Sequence, residues 1–499
     1  MTEQTKTGTD DKETRQRARV DELLALKPPG STGRVTLASG SGMDYAVGAG
    51  FLPVAAKGQD AAPPDAAVMA THYLLQGADP ARRPVCFAFN GGPGSASIWL
   101  HLGALGPKRV VVPDDAGKAP APHTVVDNPH TWFEHFDLVF VDPPHTGWSV
   151  AAGEEPRKAL LSVDGDVAAL AEVIRVWLTR HRRWGSPVYL AGESYGTTRV
   201  AALADALQSA GVQLDGLILV SCAMDLQSLD FQHGNDLPYA LFLPAFANTA
   251  QFHGLLKGAP AASPEAARTA AEAFVADDYV AALHAGSRLS HDRRARIARR
   301  VAELTGLPRA LVEEKNLRIG DQTFFFEAMR PQGRIVGRLE SRSTGPMAAS
   351  RTRDWEFDPG IEAIAPAYTM AGMAWFAEAL GLERDTRYEV LSGDTHRQWN
   401  WSRGEGRGSG FTTTSPDLSR ALRRNPLLRV LVASGRYDLG TPYSASDWSL
   451  AQLDIPDEVR TRITHRYYDA GHMMYTREAD LRQLKDDLAA WMAAPATQG

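Results

Sequence analysis

A series of short apolar runs, each bounded by glycine or proline, constrains the fold of this chain more than any other feature. The runs read VMATHYLL, PVCFAFNGG, FDLVFVDPP, PVYLAGESYG, GLILVSC and LRVLVASGRYD. Runs of this length that are apolar throughout are typical of strands buried on both faces, as in a parallel sheet. Between two of them, VDGDVAALAEVIRVWLTRH has apolar residues at helical spacing and an Asp suited to capping a helix. We therefore expect an α/β fold in which strands and helices alternate through right-handed crossovers.

The strand pattern stops after Cys222 and resumes near Leu428. Between them lie helical stretches rich in Ala and Arg, such as SPEAARTAAEAFVADDYVAAL and HDRRARIARRVAELTG. The 499-residue chain is therefore predicted to hold one α/β domain, residues 31–224 and 411–495, with a large, mainly helical insertion at 225–410. Residues 1–30 are polar and end in Pro-Pro-Gly, so we expect a mobile tail there.

Composition and charge argue against several other classes of protein. The formal charge is −6 and no basic stretch dominates, so nucleic acid is not expected as a main partner. The two cysteines, Cys86 and Cys222, exclude a disulfide framework and a zinc knuckle, and we interpret them as core residues. The N-terminus lacks the apolar core of a signal peptide, and no stretch is long and apolar enough to cross a membrane. We expect a soluble, cytoplasmic protein; the sequence gives no indication of its oligomeric state.

The motif Gly192-Glu193-Ser194-Tyr195-Gly196 is the sharpest chemical signal in the chain. It follows the apolar run VYLA and precedes the helix-like TTRVAALADAL. A GxSxG between strand and helix is typical of the nucleophile elbow of α/β hydrolases, in which the glycines make room for a tight turn. The helix N-terminus behind Ser194 favours developing negative charge. We therefore identify Ser194 as the candidate nucleophile.

A serine nucleophile needs a base, and the base needs an acid that orients it. In α/β hydrolases the chain order is Ser, acid, His. Asp438 ends the strand-like VLVASGRYD, and His472 follows a glycine after the strand-like ITHRYYDAG. The order Ser194, Asp438, His472 therefore predicts a catalytic triad. His465 competes as the base but lies inside the strand pattern, while His291 and His396 lie in the insertion and fit less well.

A glycine-rich turn, Phe89-Asn90-Gly91-Gly92-Pro93-Gly94, follows the run VCFAF. Backbone N–H groups in such a turn can point at an oxyanion. A phosphate loop is not supported, because the chain has no GxxxxGK[ST] motif. A dinucleotide site is not supported either, because no GxGxxG follows a strand.

Taken together, the motifs resemble the serine carboxypeptidase family. NGGPGSAS, NPHTWFEHFDLVFVDPPHTGWS, GESYG, GRYDLGTP and AGHMMY occur here in the order of that family, best over residues 80–230 and 425–480. The resemblance implies an α/β-hydrolase fold, a mostly parallel sheet flanked by helices, with a helical cap over the site. It implies hydrolysis of the C-terminal peptide bond through an acyl-enzyme, on a peptide or small acyl substrate, without metal or organic cofactor.

The resemblance also assigns roles to individual residues. It implies Ser194 as nucleophile, His472 as base and Asp438 as orienting acid. The oxyanion hole is expected from the backbone N–H groups of Gly92 and Tyr195. Asn90 and Glu193 are expected to hydrogen-bond the C-terminal carboxylate of the substrate. Because two carboxyl groups share a hydrogen bond only when one is protonated, we expect a raised pKa for Glu193.

Several positions depart from the family pattern. Ser95 stands where eukaryotic members have a Cys, and the scarcity of cysteines agrees with a reducing compartment. Ala104 stands where the family has a second Glu that helps bind the substrate carboxylate, and Ala88 replaces an aromatic residue. GESYG continues as Thr197-Thr198-Arg199, unlike the family pattern. An esterase or acyltransferase using the same triad therefore stays open, as does a non-catalytic binding protein of the hydrolase fold.

We expect aromatic residues of the insertion to form walls of a substrate pocket. Apolar and aromatic walls would suit hydrophobic side chains of the substrate. The residues considered are Trp355, Phe357, Trp375, Phe376, Trp399 and Trp401.

Overall fold

The structure is a computed structural model that describes residues 3–55, 63–404 and 410–494, with side chains from residue 12 onward. The strands are β1 Ser31–Thr36, β2 Gly42–Val54, β3 Ala66–Leu75, β4 Val85–Phe89, β5 Lys108–Val110, β6 Val125–Asp127, β7 Asp137–Val141, β8 Val150–Ala151, β9 Val188–Glu193, β10 Gly216–Val220, β11 Arg334–Val336, β12 Thr344–Pro346, β13 Arg429–Gly435 and β14 Ile463–Tyr468. The α-helices are α1 Glu3–Ala25, α2 Ile98–Leu100, α3 Glu154–Leu160, α4 Val163–Arg180, α5 Tyr195–Ser209, α6 Leu237–Phe252, α7 Pro264–Phe274, α8 Val280–Ala285, α9 His291–Thr305, α10 Arg309–Glu314, α11 Asp321–Glu327, α12 Pro359–Leu380, α13 Gly393–Gln398, α14 Ser415–Arg424, α15 Tyr443–Ala451, α16 Asp457–Arg460 and α17 Glu478–Ala493.

Ten strands of the described chain form one sheet, in the order β1-β2-β3-β7-β4-β9-β10-β13-β14 with β8 paired to β3. Neighbours from β7 to β14 are parallel, whereas β1, β2, β3 and β8 pair antiparallel. All six apolar runs are strands, as predicted, although the first of them, β3, belongs to the antiparallel part. A central sheet of this kind, flanked by helices, is the expected α/β-hydrolase fold.

Side chains alternate between two apolar layers on the two faces of the sheet. In β4, Cys86 points into one layer and Phe87 into the other. Helices α12 and α17 cover the first layer, and α4, α5 and α14 cover the second. Cys86 and Cys222 are free, buried and in different layers, so both are the core residues that the sequence predicted.

Helix α4 is the helix predicted from VDGDVAALAEVIRVWLTRH, but Ser162 rather than an Asp caps it. The Ser162 hydroxyl oxygen accepts a hydrogen bond from the Gly165 amide at 3.1 Å. Asp164 and Asp166 lie in the first turn. In the first turn, the positive end of the helix dipole stabilises the negative charge of these side chains.

The mobile tail predicted over residues 1–30 is wrong for the part whose side chains are described. Helix α1 packs against β2, β3 and β8, and Val20 and Leu23 are fully buried in the first apolar layer. These two residues are three positions apart and therefore share one helix face. The prediction weighed the polar composition of the segment and missed this apolar pair at its end.

The insertion predicted at 225–410 divides into two parts with different packing. Helices α6 to α11 enclose an apolar cluster of their own, centred on residues such as Phe246 and Phe324. Helix α12 instead contributes Tyr368 and Trp375 to the main layer beside the sheet. Over the described residues, no helix combines the length and the apolar character that crossing a membrane requires.

Candidate active site

The carboxyl ends of the parallel strands bring the predicted site residues to one edge of the sheet. Asn90 directly follows β4, and Ser194 directly follows β9. Asp438 lies three residues beyond β13, and His472 lies four residues beyond β14. This is the edge at which open α/β sheets bind their ligands.

Ser194 occupies a strained turn between β9 and α5. Its φ of 59° and ψ of −129° lie in a region that residues with a side chain rarely adopt. A Cβ atom at Gly192 would collide with the carbonyl of Gly196, and one at Gly196 would collide with the carbonyl of Phe89. The two glycines of the motif are therefore required sterically, and the turn presents the half-buried Ser194 side chain at the edge of the sheet.

Asp438 and His472 form a buried acid–base pair. His472 Nδ1 donates a hydrogen bond to Asp438 Oδ2 at 2.7 Å, and the Thr441 hydroxyl donates to the same oxygen at 2.7 Å. The amides of Gly440 and Thr441 donate to the other carboxylate oxygen at 2.7 and 3.0 Å. These four donors fix the carboxylate and orient the imidazole ring.

The electrostatics of this pair favour an ionised Asp438. Burial alone would raise the pKa of Asp438, but His472 and the Thr441 hydrogen bonds outweigh burial and hold that pKa below its usual value. Burial alone would lower the pKa of His472, but Asp438 outweighs it and raises that pKa. Because Nδ1 is engaged by the carboxylate, Nε2 is the ring nitrogen left for the Ser194 hydroxyl.

Ser194 and His472 line the same cavity, and the Ser194 hydroxyl makes no hydrogen bond to any described residue. Contacts between nucleophile and base are often long in the absence of substrate. Two of the competing histidines lie away from Ser194: His465 on β14 contacts Asp447 and Ser434, and His291 is exposed on α9. His396, in contrast, lines the same cavity as Ser194.

Two backbone amides near Ser194 have no acceptor among the described residues. They belong to Gly92 and to Tyr195, the first residue of α5. The N–H groups of a first helical turn have no acceptor within the helix. A Cβ at Gly91 would lie 2.5 Å from the Tyr195 nitrogen and 2.7 Å from the Glu193 carbonyl oxygen, which is closer than a Cβ can approach, so a side chain there would displace the turn that carries the Tyr195 amide. The glycine run therefore keeps two donors open beside the nucleophile, as the expected oxyanion hole requires.

The buried side chain of Arg199 holds the glycine-rich turn in place through hydrogen bonds to its backbone. Its guanidinium donates to the carbonyls of Asn90 at 2.5 Å and Gly91 at 3.3 Å, and it pairs with Asp166 at 2.6 Å. Arg199 and Asp166 are both 1% exposed, and the guanidinium also lies 4.9 Å from the Tyr195 ring centre. The sequence showed Arg199 only as a departure from the family pattern, and its contact with the turn was not predicted.

Glu193 and Asn90 meet beside the nucleophile, as the resemblance implied. Asn90 Nδ2 donates to Glu193 Oε1 at 2.9 Å, and the Tyr475 hydroxyl donates to Oε2 at 2.6 Å. Burial outweighs both hydrogen bonds and raises the pKa of Glu193 to about 7. The role of Tyr475 was not predicted, although it ends the AGHMMY motif that holds His472.

Two cavities meet at Ser194. The first, here called the Asn90 cavity, has a volume of about 410 Å³ and is lined by Asn90, Glu193, Trp99, Leu391 and Met473, among others. The second, here called the Tyr195 cavity, has about 520 Å³ and is lined by Tyr195, Leu226, Phe242, Trp401 and Phe411, among others. Gly92, Ser194, Arg338 and His396 line both.

Most aromatic residues considered as pocket walls lie elsewhere. Trp401 lines the Tyr195 cavity, and Trp399 packs against the Tyr195 ring behind it. Trp375 and Phe376 belong to the main core, and Trp355 packs on the core of the insertion. Among the described residues, no group of three or more His, Cys, Asp or Glu side chains is arranged to hold a metal ion.

The insertion reaches the site through the loop that joins β11 to β12. The Arg338 carbonyl accepts from the Leu439 amide at 2.9 Å, and the Leu339 carbonyl accepts from the His472 amide at 2.7 Å. Glu340 Oε2 accepts from the Gly471 amide at 2.9 Å. This loop therefore contacts both the segment that carries Asp438 and the segment that carries His472.

Comparisons with known proteins support the resemblance over part of the chain. Residues 67–229 match the family model described as serine carboxypeptidase. Similar curated proteins include serine carboxypeptidase-like 13 of Arabidopsis thaliana, 26% identical over 172 residues, which are 34% of this chain and 38% of that protein. The pheromone-processing carboxypeptidase KEX1 of Yarrowia lipolytica is 31% identical over 156 residues, which are 31% of this chain and 23% of KEX1.

The chain thus matches less than two fifths of the length of these relatives, and the resemblance predicted from the motifs is confirmed over the matched segment. Among solved structures, esterase E22 matches with a TM-score of 0.40 at 12% identity, covering 88% of this chain and all of that one. The proline iminopeptidase of Mycobacterium smegmatis matches with a TM-score of 0.32 at 13% identity, covering 92% and 98%.

Proposed function

We propose that this protein is a serine-type carboxypeptidase that hydrolyses the C-terminal peptide bond of its substrate through an acyl-enzyme on Ser194. The observation that carries the proposal is the buried pair of Asn90 and Glu193 beside the nucleophile. The substrate of a lipase or simple esterase carries no free carboxylate beside the bond that breaks, whereas the substrate of a carboxypeptidase does. A carboxypeptidase needs such groups, because they recognise the carboxylate of the residue that leaves.

The reaction begins when His472 Nε2 takes the proton of the Ser194 hydroxyl, whose oxygen attacks the last peptide carbonyl. Asp438, held ionised by its four donors, stabilises the imidazolium that forms. The amides of Gly92 and Tyr195 stabilise the tetrahedral oxyanion. His472 then protonates the leaving amino group, the C–N bond breaks, and water attacks the ester by the same route in reverse.

The two cavities divide the substrate at the bond that breaks. The Asn90 cavity would hold the leaving residue, whose carboxylate accepts hydrogen bonds from Asn90 and from protonated Glu193. The Tyr195 cavity would hold the penultimate residue, and its walls of Leu226, Phe242 and Trp401 suit an apolar side chain.

The test is release of the C-terminal amino acid from an N-blocked dipeptide between about pH 4 and 8. The same dipeptide as C-terminal amide and as ester, and a Ser194→Ala variant, serve as controls. Release from the free acid, weak turnover of the amide and loss in the variant would support a carboxypeptidase that uses Asn90 and Glu193.

A second candidate is an esterase or acyltransferase with the same triad. Ala104, which stands where the family has its second acid, favours this alternative because the substrate carboxylate has one partner fewer. Ester cleavage without peptide cleavage would support it. No turnover of any substrate would support the binding-protein alternative, against which the intact set of Ser194, Asp438 and His472 argues.

A further inference from the structure

Arg338 is a cation at the active site that the proposed mechanism does not use. It lines both cavities, and its side chain is exposed. Its guanidinium makes no hydrogen bond or ion pair with any residue in the described ranges. Other arginines near the site are paired: Arg342 binds Glu340 at 2.7 Å, and Arg199 binds Asp166.

The backbone of Arg338 is fixed, although its side chain is unpaired. The Arg338 amide donates to Asp358 Oδ1 at 3.1 Å, and its carbonyl accepts from Leu439. The guanidinium carbon lies 3.5 Å from where a Cβ at Gly440 would be, two residues from Asp438. The side chain therefore starts from a rigid position beside the triad, and its charged end is free to meet a ligand.

The charges around the two cavities differ. In the Tyr195 cavity, Asp230 and Asp321 balance Arg338. In the Asn90 cavity, the other titratable lining groups are Glu193, His396 and His472. Burial lowers the pKa of His396 and raises that of Glu193, so His396 and Glu193 both tend toward their neutral forms, while His472 is already paired with Asp438. Arg338 is thus the permanent cation among the described residues that line the Asn90 cavity.

We propose that Arg338 binds a carboxylate of the substrate in the Asn90 cavity. The proposal rests on the proposed function, because it concerns the residue that leaves. A guanidinium attracts an ionised carboxylate directly and needs no shared proton. It would compensate for the acid absent at Ala104, and it would retain part of the recognition at a pH at which Glu193 is ionised. The carboxylate is either the C-terminal one or that of an acidic leaving side chain.

Four N-blocked dipeptides distinguish these two sources. They end in Leu or in Glu, each as the free acid and as the C-terminal amide, and are assayed at pH 8 with wild type, Arg338→Gln and Arg338→Lys. If Arg338 binds the C-terminal carboxylate, Arg338→Gln lowers kcat/KM about 10- to 100-fold for both free acids, mainly through KM, and spares the Leu amide. If Arg338 binds the side chain, Arg338→Gln lowers kcat/KM for both Glu substrates and for neither Leu substrate. Arg338→Lys restores part of the loss in either case.

The control is Arg82→Gln, because Arg82 is exposed and lies before β4, at the opposite end of the strand from Asn90. Arg82→Gln should leave kcat/KM unchanged for all four substrates. If Arg338→Gln lowers kcat/KM equally for the four substrates, or for none of them, the proposal is overturned. Either result would leave the proposed carboxypeptidase function standing.

Binding measured without turnover separates this proposal from the proposed function. In a Ser194→Ala background, calorimetry compares the four dipeptides with and without Arg338→Gln. Tighter binding of the carboxylate-bearing dipeptides that is lost with Arg338→Gln supports the role of Arg338, even if wild type hydrolyses none of them. No preference for a carboxylate in Ser194→Ala, or a preference that Arg338→Gln leaves unchanged, overturns it.

Discussion

The carbonyl oxygen of Leu339 accepts a hydrogen bond from the backbone amide of His472 at 2.7 Å. Leu339 belongs to the insertion, and His472 to the sheet domain, so the proposed base is hydrogen-bonded to a segment far away in sequence. The adjacent Glu340 side chain adds a second tie, to the Gly471 amide. The position of the base therefore depends on how the insertion packs.

We expect Glu340→Ala to lower kcat about 10-fold with little change in KM. The substitution removes the charged acceptor of the Gly471 amide, and a hydrogen bond of this kind is worth about 1.5–3 kcal/mol. The hydrogen bond from the His472 amide to the Leu339 carbonyl remains and limits the loss. Steady-state kinetics with an N-blocked dipeptide checks this. Glu383→Ala, at an exposed glutamate, is the control and should behave as wild type. An unchanged kcat in Glu340→Ala would show that the Leu339 hydrogen bond alone holds the base.

We expect Asp438→Asn to lower kcat by about 10⁴-fold without unfolding the protein, because the amide no longer favours the His472 tautomer with Nε2 free. Thr441→Val, which removes one hydrogen bond to the same carboxylate, should cost about 10-fold. Single-turnover assays with an activated ester measure the chemical step. Activity within 10-fold of wild type in Asp438→Asn would contradict the assigned role of this acid.

We expect kcat/KM for free-acid dipeptides to fall as the pH rises through about 7, the pKa of Glu193. The protonated carboxyl donates to the substrate carboxylate, whereas the ionised form repels it. In Glu193→Gln this falling limb should disappear. The raised pKa also means that Glu193 favours the folded state below its unfolded pKa near 4.5 and loses that contribution as the pH rises through 7. Glu193→Gln should accordingly gain stability over wild type at pH 8 and not at pH 4, which thermal unfolding measures.

We expect Gly91→Ala to lower kcat on peptides and esters alike by about 10²- to 10³-fold, because the new methyl group would collide with the backbone around Tyr195 and displace its amide. Both substrate classes pass through the same oxyanion, so a loss confined to peptides would contradict the assignment. Gly50→Ala is a matched control, since a Cβ there meets no atom within 4 Å.

We expect Arg199→Met to destabilise the fold by about 3–5 kcal/mol, because it leaves the buried Asp166 carboxylate without its partner. The midpoint of urea unfolding measures this loss. Arg199→Met combined with Asp166→Asn should recover part of it, since the unpaired charge is gone. If the double variant is no more stable than the single one, the loss comes from the freed Asn90 and Gly91 carbonyls instead.

The residues that sequence reasoning found share one property. Ser194, Asp438, His472 and Asn90 each follow a strand at short range, so a local pattern of strand, turn and residue type identifies them. Which face and edge of the sheet they share follows from the parallel order of those strands.

The residues that it missed act across long sequence distances. Tyr475 bonds Glu193 from 282 positions away, and Arg199 reaches Asn90 across 109. Arg338 approaches the triad only because a loop of the insertion folds back on the two loops that carry Asp438 and His472. No local pattern encodes such contacts, and composition misled in one place, where polar neighbours concealed the buried face of α1.

Helix α1 packs on the antiparallel part of the sheet, whereas Ser194 follows β9 in the parallel part. Trimming the chain at Gly30, where the composition changes, would uncover the apolar seats of Val20 and Leu23 without touching the triad. A shortened protein would then keep the residues around Ser194 in place while exposing an apolar surface along β2 and β3. Aggregation of such a fragment would reflect the place of the cut rather than a defect in the rest of the fold.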